Sequence, residues 1–219
     1  MKQFSADLHI HSIFSDGELI PAEIVQRCSV LGYSAIAITD HVDNSNLEFV
    51  LSNLVKACKE LSNYADLKIL PGVELTHIPI KMLGSLVKKA RKFGARIVLV
   101  HGETLAEPVP KGTNLAAVKQ NIDILAHPGL ITMEEAELAK ENNIYLELTS
   151  RRGHCITNGC VAKVALQVGA KLLVGSDAHS PEDLITPEEA LQVALGAGIS
   201  EKNSKIITSV NPKSFLSEI

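Results

Sequence analysis

The chain has 219 residues, of which 46% are hydrophobic and 21% are charged, as in an ordinary globular protein with one substantial core. The net charge of −4 provides no general basic surface, which argues against a dedicated nucleic-acid-binding protein. No apolar run is long enough to span a bilayer, the first residues lack the pattern of a signal peptide, and four cysteines are too few for a disulfide scaffold. We therefore expect a reduced, cytoplasmic protein.

Seven short β-rich runs alternate with amphipathic helical patterns along the chain. The β-rich runs are continuously apolar, which is typical of parallel strands that are covered on both faces. In chain order, the predicted strands are ADLHIH, SAIAITDH, KILPGVE, ARIVLVH, IDILAH, IYLELT and KLLVGSDAH. The predicted helices are Pro21–Leu31, Leu47–Tyr64, Lys81–Phe93, a short one near Leu115–Gln120, Met133–Glu141, Val161–Val168 and Pro187–Leu195.

Helix start signals and the lack of a linker indicate the domain organisation. Thr132 and Thr186 are followed three residues later by Glu135 and Glu189, the pattern of a capping box. No Pro/Gly/Ser-rich stretch separates the seven βα units, so we expect a single α/β domain over residues 1–219. After the last unit, KIITSVNPKSFLSEI is interpreted as a tail. Periodicity alone leaves both an open doubly wound sheet and a closed or nearly closed barrel possible.

The first strand contains two histidines at a spacing that suits a metal site. His9 and His11 are two residues apart, so in a strand they share one face, while Leu8 and Ile10 share the other. Asp16 follows five residues after the second histidine. Two imidazoles on one face can also be ordinary packing, so the remaining strands have to decide between these interpretations.

Nearly every later strand also ends in a residue that can bind a metal. In a barrel of parallel strands these ends converge on one mouth, where active sites are built, whereas an open sheet would spread them along an edge. The pattern therefore favours a barrel with a metal site at the C-terminal mouth of its strands. Including the two histidines and the aspartate above, nine ligands suit two or three divalent ions of Zn, Mn or Fe. The further residues are His41, Glu74, His101, His127, Asp177 and His179.

Six short motifs, taken in order, resemble those of a known family. DLHIHSIFSDG, ITDH, GVE, VHG, AHPG and GSDAH are similar to the motif series of the PHP (polymerase and histidinol phosphatase) family, and the match runs from Asp7 to His179. The resemblance implies a distorted, TIM-like (β/α)7 barrel that holds up to three metals. It also implies the hydrolysis of phosphoesters.

The resemblance further implies how the ligands are divided among three ions. Some family members have His where this chain has Asp16, and either residue is a competent ligand. We name the three groups in order: the first set is His9, His11, Glu74 and Asp177; the second set is Glu74, His101 and His127; the third set is Asp16, His41 and His179.

Several other polar residues are candidates for roles beside the metals. Arg151 and Arg152 closely follow the sixth strand, so at least one could bind a substrate phosphate through paired N–H donors. His154, in the same loop, could protonate a leaving group. Asp7 lies on the face of the histidine pair and could orient a ligand imidazole, and Glu147 could do the same or merely line the barrel.

The expected chemistry is the hydrolysis of a phosphate ester, because bound divalent ions lower the pKa of water and clamp anionic oxygens. The leading hypothesis is a metal-dependent phosphatase that acts on a small phosphomonoester, in the manner of histidinol phosphatases. The alternatives are a phosphodiesterase or nuclease, and a non-catalytic scaffold of the same family that binds RNA or protein. Because no expected ligand is missing, the scaffold is disfavoured. We expect a small phosphorylated substrate as partner, rather than nucleic acid or a membrane; the sequence indicates no oligomeric state.

Overall fold

The computed structural model describes residues 4–219, which form a barrel of parallel strands surrounded by helices. Neighbouring strands follow one another in chain order. The strands found in this part of the chain are β1 (Ala6–Ile10), β2 (Ala35–Ile38), β3 (His41–Val42), β4 (Lys68–Leu75), β5 (Ile97–His101), β6 (Ile124–Ala126), β7 (Tyr145–Thr149) and β8 (Leu172–Gly175).

The barrel has seven strand positions, because β2 and β3 follow each other closely and both pair with β4. The first and last strands meet where the barrel closes. There the N–H of His11 donates to the carbonyl oxygen of Ala178 at 2.8 Å, and the N–H of Asp177 donates to that of His9 at 2.9 Å. This closure confirms the predicted (β/α)7 barrel and excludes the open sheet.

Seven of the helices lie where the sequence predicts a helix; α1 and α5 have the predicted bounds, and the others differ from them by one to three residues at one or both ends. None of the helices in the described part of the chain is both long and apolar enough to cross a membrane. The α-helices are α1 (Pro21–Leu31), α2 (Leu47–Leu61), α3 (Leu83–Lys92), α4 (Thr113–Ala117), α5 (Met133–Glu141), α6 (Asn158–Val168), α7 (Pro187–Gly196), α8 (Glu201–Lys205) and α9 (Asn211–Glu218).

Two of these helices begin at the predicted capping boxes. At α5 the side chain of Thr132 accepts a hydrogen bond from the N–H of Glu135, and at α7 the side chain of Thr186 accepts one from Glu189. In both boxes the Glu carboxylate in turn accepts from the N–H of the capping threonine. These bonds satisfy N–H groups that the first helical turn would otherwise leave without partners.

The strand residues divide between two apolar clusters. Along β5, Ile97 and Leu99 belong to an inner cluster, whereas Val98 and Val100 belong to an outer cluster that packs against the helices. The inner cluster fills the barrel near the amino-terminal ends of its strands, and we call it the floor. Its members are Ala6, Leu8, Ala35, Ala37, Leu70, Ile97, Leu99, Ile124, Ala126, Tyr145, Leu173, Phe215 and Leu216.

Helix α9 closes the floor from below. The ring of Phe215 packs edge-on against that of Tyr145, with 5.4 Å between centroids, and Lys68 Nζ donates to the carbonyl oxygen of Leu216 at 2.9 Å. The interpretation of this segment as a tail is therefore wrong. Only two large apolar side chains in an eight-residue helix are buried, which is too little for a periodic pattern to be visible in the sequence.

Strand β1 departs from regular alternation. Its register against β2 shifts between Asp7 and Ile10. As a result Leu8 joins the inner cluster and Ile10 the outer one, so the expectation that they share a face is wrong. The irregularity lets one short strand contribute Leu8 to the floor and both His9 and His11 to the opposite end of the barrel.

Candidate metal centre

The nine predicted ligands lie together at the carboxyl-terminal mouth of the barrel, above the floor. The structure places them at strand ends and in the loops that follow, as the sequence indicates. Asp16 stands at the rim with 58% of its side chain exposed. Six of the others are at most 2% exposed: His9, His11, Glu74, His101, His127 and Asp177.

The first set has the spacing of ligands around one ion. His9 Nε2 lies 3.5 Å from Glu74 Oε2 and 3.7 Å from Asp177 Oδ1. His11 Nε2 lies 3.7 Å and 3.2 Å from the same two oxygens. Four ligands at 2.0–2.2 Å from a tetrahedral ion are separated by about 3.4 Å, so these distances fit such an ion.

The second set shares Glu74 with the first. While Oε2 of Glu74 faces the first set, Oε1 lies 3.4 Å from His127 Nε2. The ring of His101 packs edge-on against that of His127, with 4.5 Å between centroids, and His101, His127 and His154 each place a ring nitrogen within 4.8 Å of the others. Glu74 is therefore placed where a carboxylate could bridge two ions.

The third set lies nearer the rim. Asp16 Oδ1 is 3.3 Å from His179 Nε2 and 3.6 Å from His41 Nε2, and these two ring nitrogens are 3.4 Å apart. The other nitrogen of His41, Nδ1, lies 2.8 Å from Oε2 of Glu74. The third set is thus connected to the first two through the same carboxylate.

The hydrogen bonds of the histidine rings suit metal ligands. His9 Nδ1 lies 2.8 Å from Glu147 Oε1, and His179 Nδ1 lies 2.9 Å from the carbonyl oxygen of Asp177, so each Nδ1 carries a proton. In the neutral ring, Nε2 then presents a lone pair. Nε2 of His9 is buried without a hydrogen-bond partner among the described residues, and Nε2 of His179 faces that of His41. Metal-bound histidines usually have this arrangement, and a divalent cation fits this set of atoms.

The protonation of three of the buried ligands also suits a metal. Burial opposes ionisation of Glu74, but the charges of His9 and His41 outweigh it and hold the pKa of Glu74 well below its ordinary value. The pKa of Asp177 is lowered in the same way, against the effect of burial. Burial, reinforced by His41, lowers the pKa of His11 to about 3. Ionised carboxylates and a neutral imidazole are the forms that bind metals.

The carboxylates around His9 attract positive charge to the centre. Burial alone would lower the pKa of His9, but Glu147, Glu74 and Asp177 together raise it well above its ordinary value. A divalent cation would neutralise the same carboxylates while leaving the ring free to bind as a ligand.

Two candidate ligands have a backbone conformation that residues other than glycine rarely adopt. His127 has a φ of 28° and Asp177 a φ of 53°. Hydrogen bonds hold both: the N–H of His127 donates to Glu147 Oε2 at 3.1 Å, and that of Asp177 donates to the carbonyl oxygen of His9 at 2.9 Å. Strain of this kind clusters at functional sites, where the surrounding structure maintains it.

Glu147 supports ligands of two sets at once. Its two oxygens accept from His9 Nδ1 and from the N–H of His127, and it is 2% exposed. Gly175 makes room for it, because a Cβ at that position would overlap Glu147 Oε1. The sequence left this residue open between two roles, although a lone carboxylate within the apolar strand YLELT marks it as unusual.

Asp40 holds the loop that carries Asp16. Its carboxylate accepts hydrogen bonds at 2.7 Å from the N–H and the hydroxyl of Ser12 and from the hydroxyl of Ser15. The loop also folds back closely at Gly17, where a Cβ would overlap the carbonyl of His11. These contacts explain how a residue in a loop returns to the mouth.

The two arginines predicted from the sequence differ in their position relative to the mouth. Arg151 Nη1 donates to the carbonyl oxygen of Asp177 at 3.2 Å, and its Nη1 also lies 3.6 Å from Asp183 Oδ2. Arg152 is exposed and forms no ion pair within residues 4–219. Of the two, Arg151 is the one that reaches the mouth.

His154 is buried beside the second set. Its ring centroid lies 4.4 Å from that of His127. Burial, followed by the charge of His127, lowers the pKa of His154 to about 4. The ring is therefore neutral near pH 7, and its predicted role as a proton donor stays a prediction.

A small cavity opens at the mouth. It has a volume of about 40 Å³, which is room for about three water molecules. The cavity is lined by Asp16, His41, His101, Glu107, Arg151, His154, Asp177 and His179.

The sequence did not single out Glu107, although its carboxylate lies in this cavity. Oε2 is 3.1 Å from His77 Nε2 and 3.2 Å from His101 Nε2, and Oε1 is 3.4 Å from His154 Nε2. Glu107 lies in the loop between β5 and α4, where neither strand register nor helical period predicts the direction of a side chain.

Comparison with known proteins identifies the family. The model of the PHP domain matches residues 7–137, which is more than half of the chain. The chain belongs to the PHP domain family. It is 51% identical to the uncharacterized protein MJ1295 of Methanocaldococcus jannaschii, over 97% of this chain and 99% of that protein. It is also 26% identical to ribonuclease P protein component 3 of Methanosarcina barkeri, over 96% of this chain and 88% of that protein.

A solved phosphatase structure shows the same fold. Histidinol phosphate phosphatase from Lactococcus lactis, in complex with zinc, L-histidinol and phosphate, aligns with a TM-score of 0.63 and 17% identity, over 90% of this chain and 94% of that one. The PHP match ends at residue 137, before Asp177 and His179. The placement of these two residues among the ligands therefore depends on the distances to His11 and Asp16.

Proposed function

We propose that this PHP-family protein is a metal-dependent phosphoesterase that hydrolyses a small phosphomonoester at a centre of two to three divalent ions. The observation that supports this most is the convergence of imidazole nitrogens and carboxylate oxygens at ligand spacing, directly beside the guanidinium of Arg151. The similarity to a phosphatase whose structure holds zinc and phosphate also supports it.

Each of the three sets would hold one ion, with Glu74 between the first two. When bound, such ions supply water of lowered pKa and a positive field for the oxygens of a phosphate group. The protein's own part is to keep the ligands in position. Glu147 fixes the ring of His9, and Asp40 fixes the loop that carries Asp16. Ligands held in advance of binding need no costly rearrangement during the reaction.

Arg151 is the residue that we expect to bind the substrate phosphate. Its guanidinium lines the cavity, and its present partners are the carbonyl oxygen and the carboxylate of Asp177 and the partly exposed Asp183. The planar guanidinium can donate two parallel N–H bonds to a phosphate, which adds orientation as well as charge. We assign no role to Arg152, because its side chain points into solvent.

RNA binding is a second candidate, favoured by the similarity to ribonuclease P protein component 3. Helix α3 and its flanks provide a basic surface, since Lys81, Lys88, Lys92 and Arg96 are exposed. The sequence from Glu74 to Glu103 contains no acidic residue between these two. Such a surface would bind phosphate backbones in a salt-dependent way. The buried centre argues for the phosphoesterase, because RNA binding alone does not need it.

A substrate screen tests the proposal. Protein freed of metal is reloaded with Mn, Zn or Fe, and is assayed with phosphomonoesters including histidinol phosphate, with a phosphodiester, and with short RNA and DNA oligonucleotides. We expect metal-dependent release of phosphate from monoesters and more than one ion per chain by elemental analysis. Hydrolysis of oligonucleotides alone would favour the nuclease. RNA binding with no hydrolysis under any metal would contradict the phosphoesterase.

A further inference from the structure

The loop of residues 102–112 places a carboxylate beside the second set. This carboxylate is not part of the nine-ligand pattern of the family. Glu107 faces Nε2 of three histidines, His77, His101 and His154, at 3.1 to 3.4 Å. Distances of this size match the roughly 3.4 Å between neighbouring ligands of a tetrahedral ion.

The hydrogen bonds of His101 leave a position between its ring and Glu107 that a proton or a metal ion can occupy. His101 Nδ1 is 3.1 Å from the carbonyl oxygen of Gly102, so Nδ1 carries the proton and Nε2 presents a lone pair in the neutral ring. That lone pair faces Glu107 Oε2, another acceptor, at 3.2 Å. Two facing acceptors repel each other unless a proton or a metal ion lies between them, and His9 and Glu74 present the same arrangement in the first set.

The loop is built to hold Glu107 in place. Glu103 Oε1 accepts hydrogen bonds at 2.9 Å from the N–H groups of Gly112 and Asn114, and Asn114 Nδ2 donates to the carbonyl oxygen of Pro128 at 2.8 Å. Both ends of the loop are thereby fixed, while its middle is exposed. Glu107 itself keeps 38% of its side chain exposed, so its carboxylate can move away into solvent.

His77 supports the same arrangement from the other side. It has a φ of 52°, which is uncommon outside glycine, and its ring contacts both Glu107 and His101. A residue held in a strained conformation against a carboxylate indicates a position that the fold maintains. His77 is best described as a positioning residue for Glu107.

We propose that Glu107 is a further ligand of the ion at the second set, and that the phosphate of the substrate displaces it. Glu74, His101, His127 and Glu107 would together hold this ion, and a phosphate oxygen would take the place of the Glu107 carboxylate. The inference rests on the proposed function in requiring a metal at the second set. The inference goes beyond the proposed function by assigning, on a loop, a ligand that the substrate can displace.

Metal titration of the metal-free chain tests the ligand role without any assay of activity. Glu107→Gln keeps the shape but replaces a charged ligand by a weak one, and Glu137→Gln, on the exposed face of α5, is the matched control. By calorimetric titration with Mn²⁺, we expect one site of Glu107→Gln to bind at least about tenfold more weakly than in the wild type, since even residues that only support ligands affect affinity 10–100-fold. The other sites, and the Glu137→Gln variant, should match the wild type.

Binding of inorganic phosphate tests the displacement. In the metal-loaded protein, phosphate has to displace a negative carboxylate from the wild type but not from Glu107→Gln. We therefore expect phosphate to bind the variant several-fold more tightly than the wild type, at metal concentrations that saturate both. Tighter or equal binding by the wild type would overturn displacement by phosphate.

The two proposals fail in different ways. A wild-type chain that binds no ion would overturn the proposed function together with this inference. A wild-type chain that binds its ions, with affinities unchanged in Glu107→Gln, would overturn the inference alone. The metal-free wild type and metal-free Glu107→Gln should unfold at the same temperature, because Glu107 lies on an exposed loop. If these temperatures differ, Glu107→Ala provides a second variant.

Discussion

The floor and the mouth of the barrel are lined by the same strands but have opposite chemistry. On β4, the floor residue Leu70 is followed four positions later by Glu74, and on β5 the floor residue Leu99 is followed two positions later by His101. The floor buries apolar side chains, which stabilises the fold through the hydrophobic effect. The mouth buries carboxylates and imidazoles, and some of their polar atoms lack hydrogen-bond partners among the described residues, which is costly unless a cation binds.

The residues that stabilise the fold and the residues that could bind metal therefore lie at opposite ends of the strands. A change in the floor should therefore alter stability and leave metal binding intact, whereas a change in the mouth should do the reverse. The following variants test that separation.

The largest effect is expected at Glu74, which contacts histidines of all three sets. Glu74→Gln removes the charge and keeps the shape. We expect the loss of at least one ion and of nearly all turnover, with metal affinity reduced by more than about a hundredfold, the upper figure for residues that only support ligands. Elemental analysis, steady-state kinetics and circular dichroism measure this, with exposed Glu60→Gln as control. Wild-type metal content and activity would refute the bridging role.

The floor should respond in the opposite way. Phe215→Ala removes a ring that is 4% exposed, and such truncations cost about 3–5 kcal/mol. The midpoint of thermal unfolding should fall by about 10 °C, while metal stoichiometry and kcat/KM well below that temperature stay unchanged. Phe49→Ala, at an exposed ring, should have little effect. A loss of metal from Phe215→Ala would show that floor and mouth are coupled.

Substrate binding should be separable from metal binding. If Arg151 binds the phosphate through charge-assisted hydrogen bonds worth roughly 1.5–3 kcal/mol, Arg151→Lys should reduce kcat/KM by about one to two orders of magnitude. Metal content should not change, and Arg152→Lys should behave as the wild type. Steady-state kinetics with a single phosphomonoester decide this. Equal kinetics for Arg151→Lys and wild type would mean that the metals alone hold the phosphate.

The smallest effect is expected where a residue supports a ligand indirectly. In Glu147→Gln, one of the two groups that accept N–H bonds from His9 and His127 becomes an N–H donor, so one bond is lost. We expect metal affinity to fall by about tenfold, at the lower end for such supporting residues. Calorimetric titration beside exposed Glu141→Gln measures this. An unchanged affinity would mean that Glu147 only lines the barrel.

The type and strand position of the proposed ligands could be predicted because parallel strands end at one mouth. That rule alone is enough to predict the positions of His101 and Glu74. The register shift in β1 has no sequence signal, so strand alternation wrongly predicts that Leu8 and Ile10 share a face. Helix α9 buries too few large side chains to show a period, and its partner Tyr145 lies far away in the sequence.

At the site itself, the conformation of the loops could not be predicted from the sequence. Nothing in the spacing of GETLAEPVPKG indicates that Glu107 turns toward His101, because the contacts of Glu103 and Asn114 that direct the loop are tertiary. The sequence likewise could not separate Arg151 from Arg152. Both follow β7, and only the three-dimensional structure shows that one of them faces Asp177.

The closure of the barrel between β1 and β8 has a consequence for how the protein folds. His9 accepts a hydrogen bond from the hydroxyl of Ser176, 167 positions further along the chain, and the first set draws its ligands from both of these distant segments. Contacts between such distant segments form slowly, because chain entropy must be lost before they stabilise anything. A nascent or partly folded chain therefore cannot assemble the first set, and tight binding of an ion there would report that the barrel has closed.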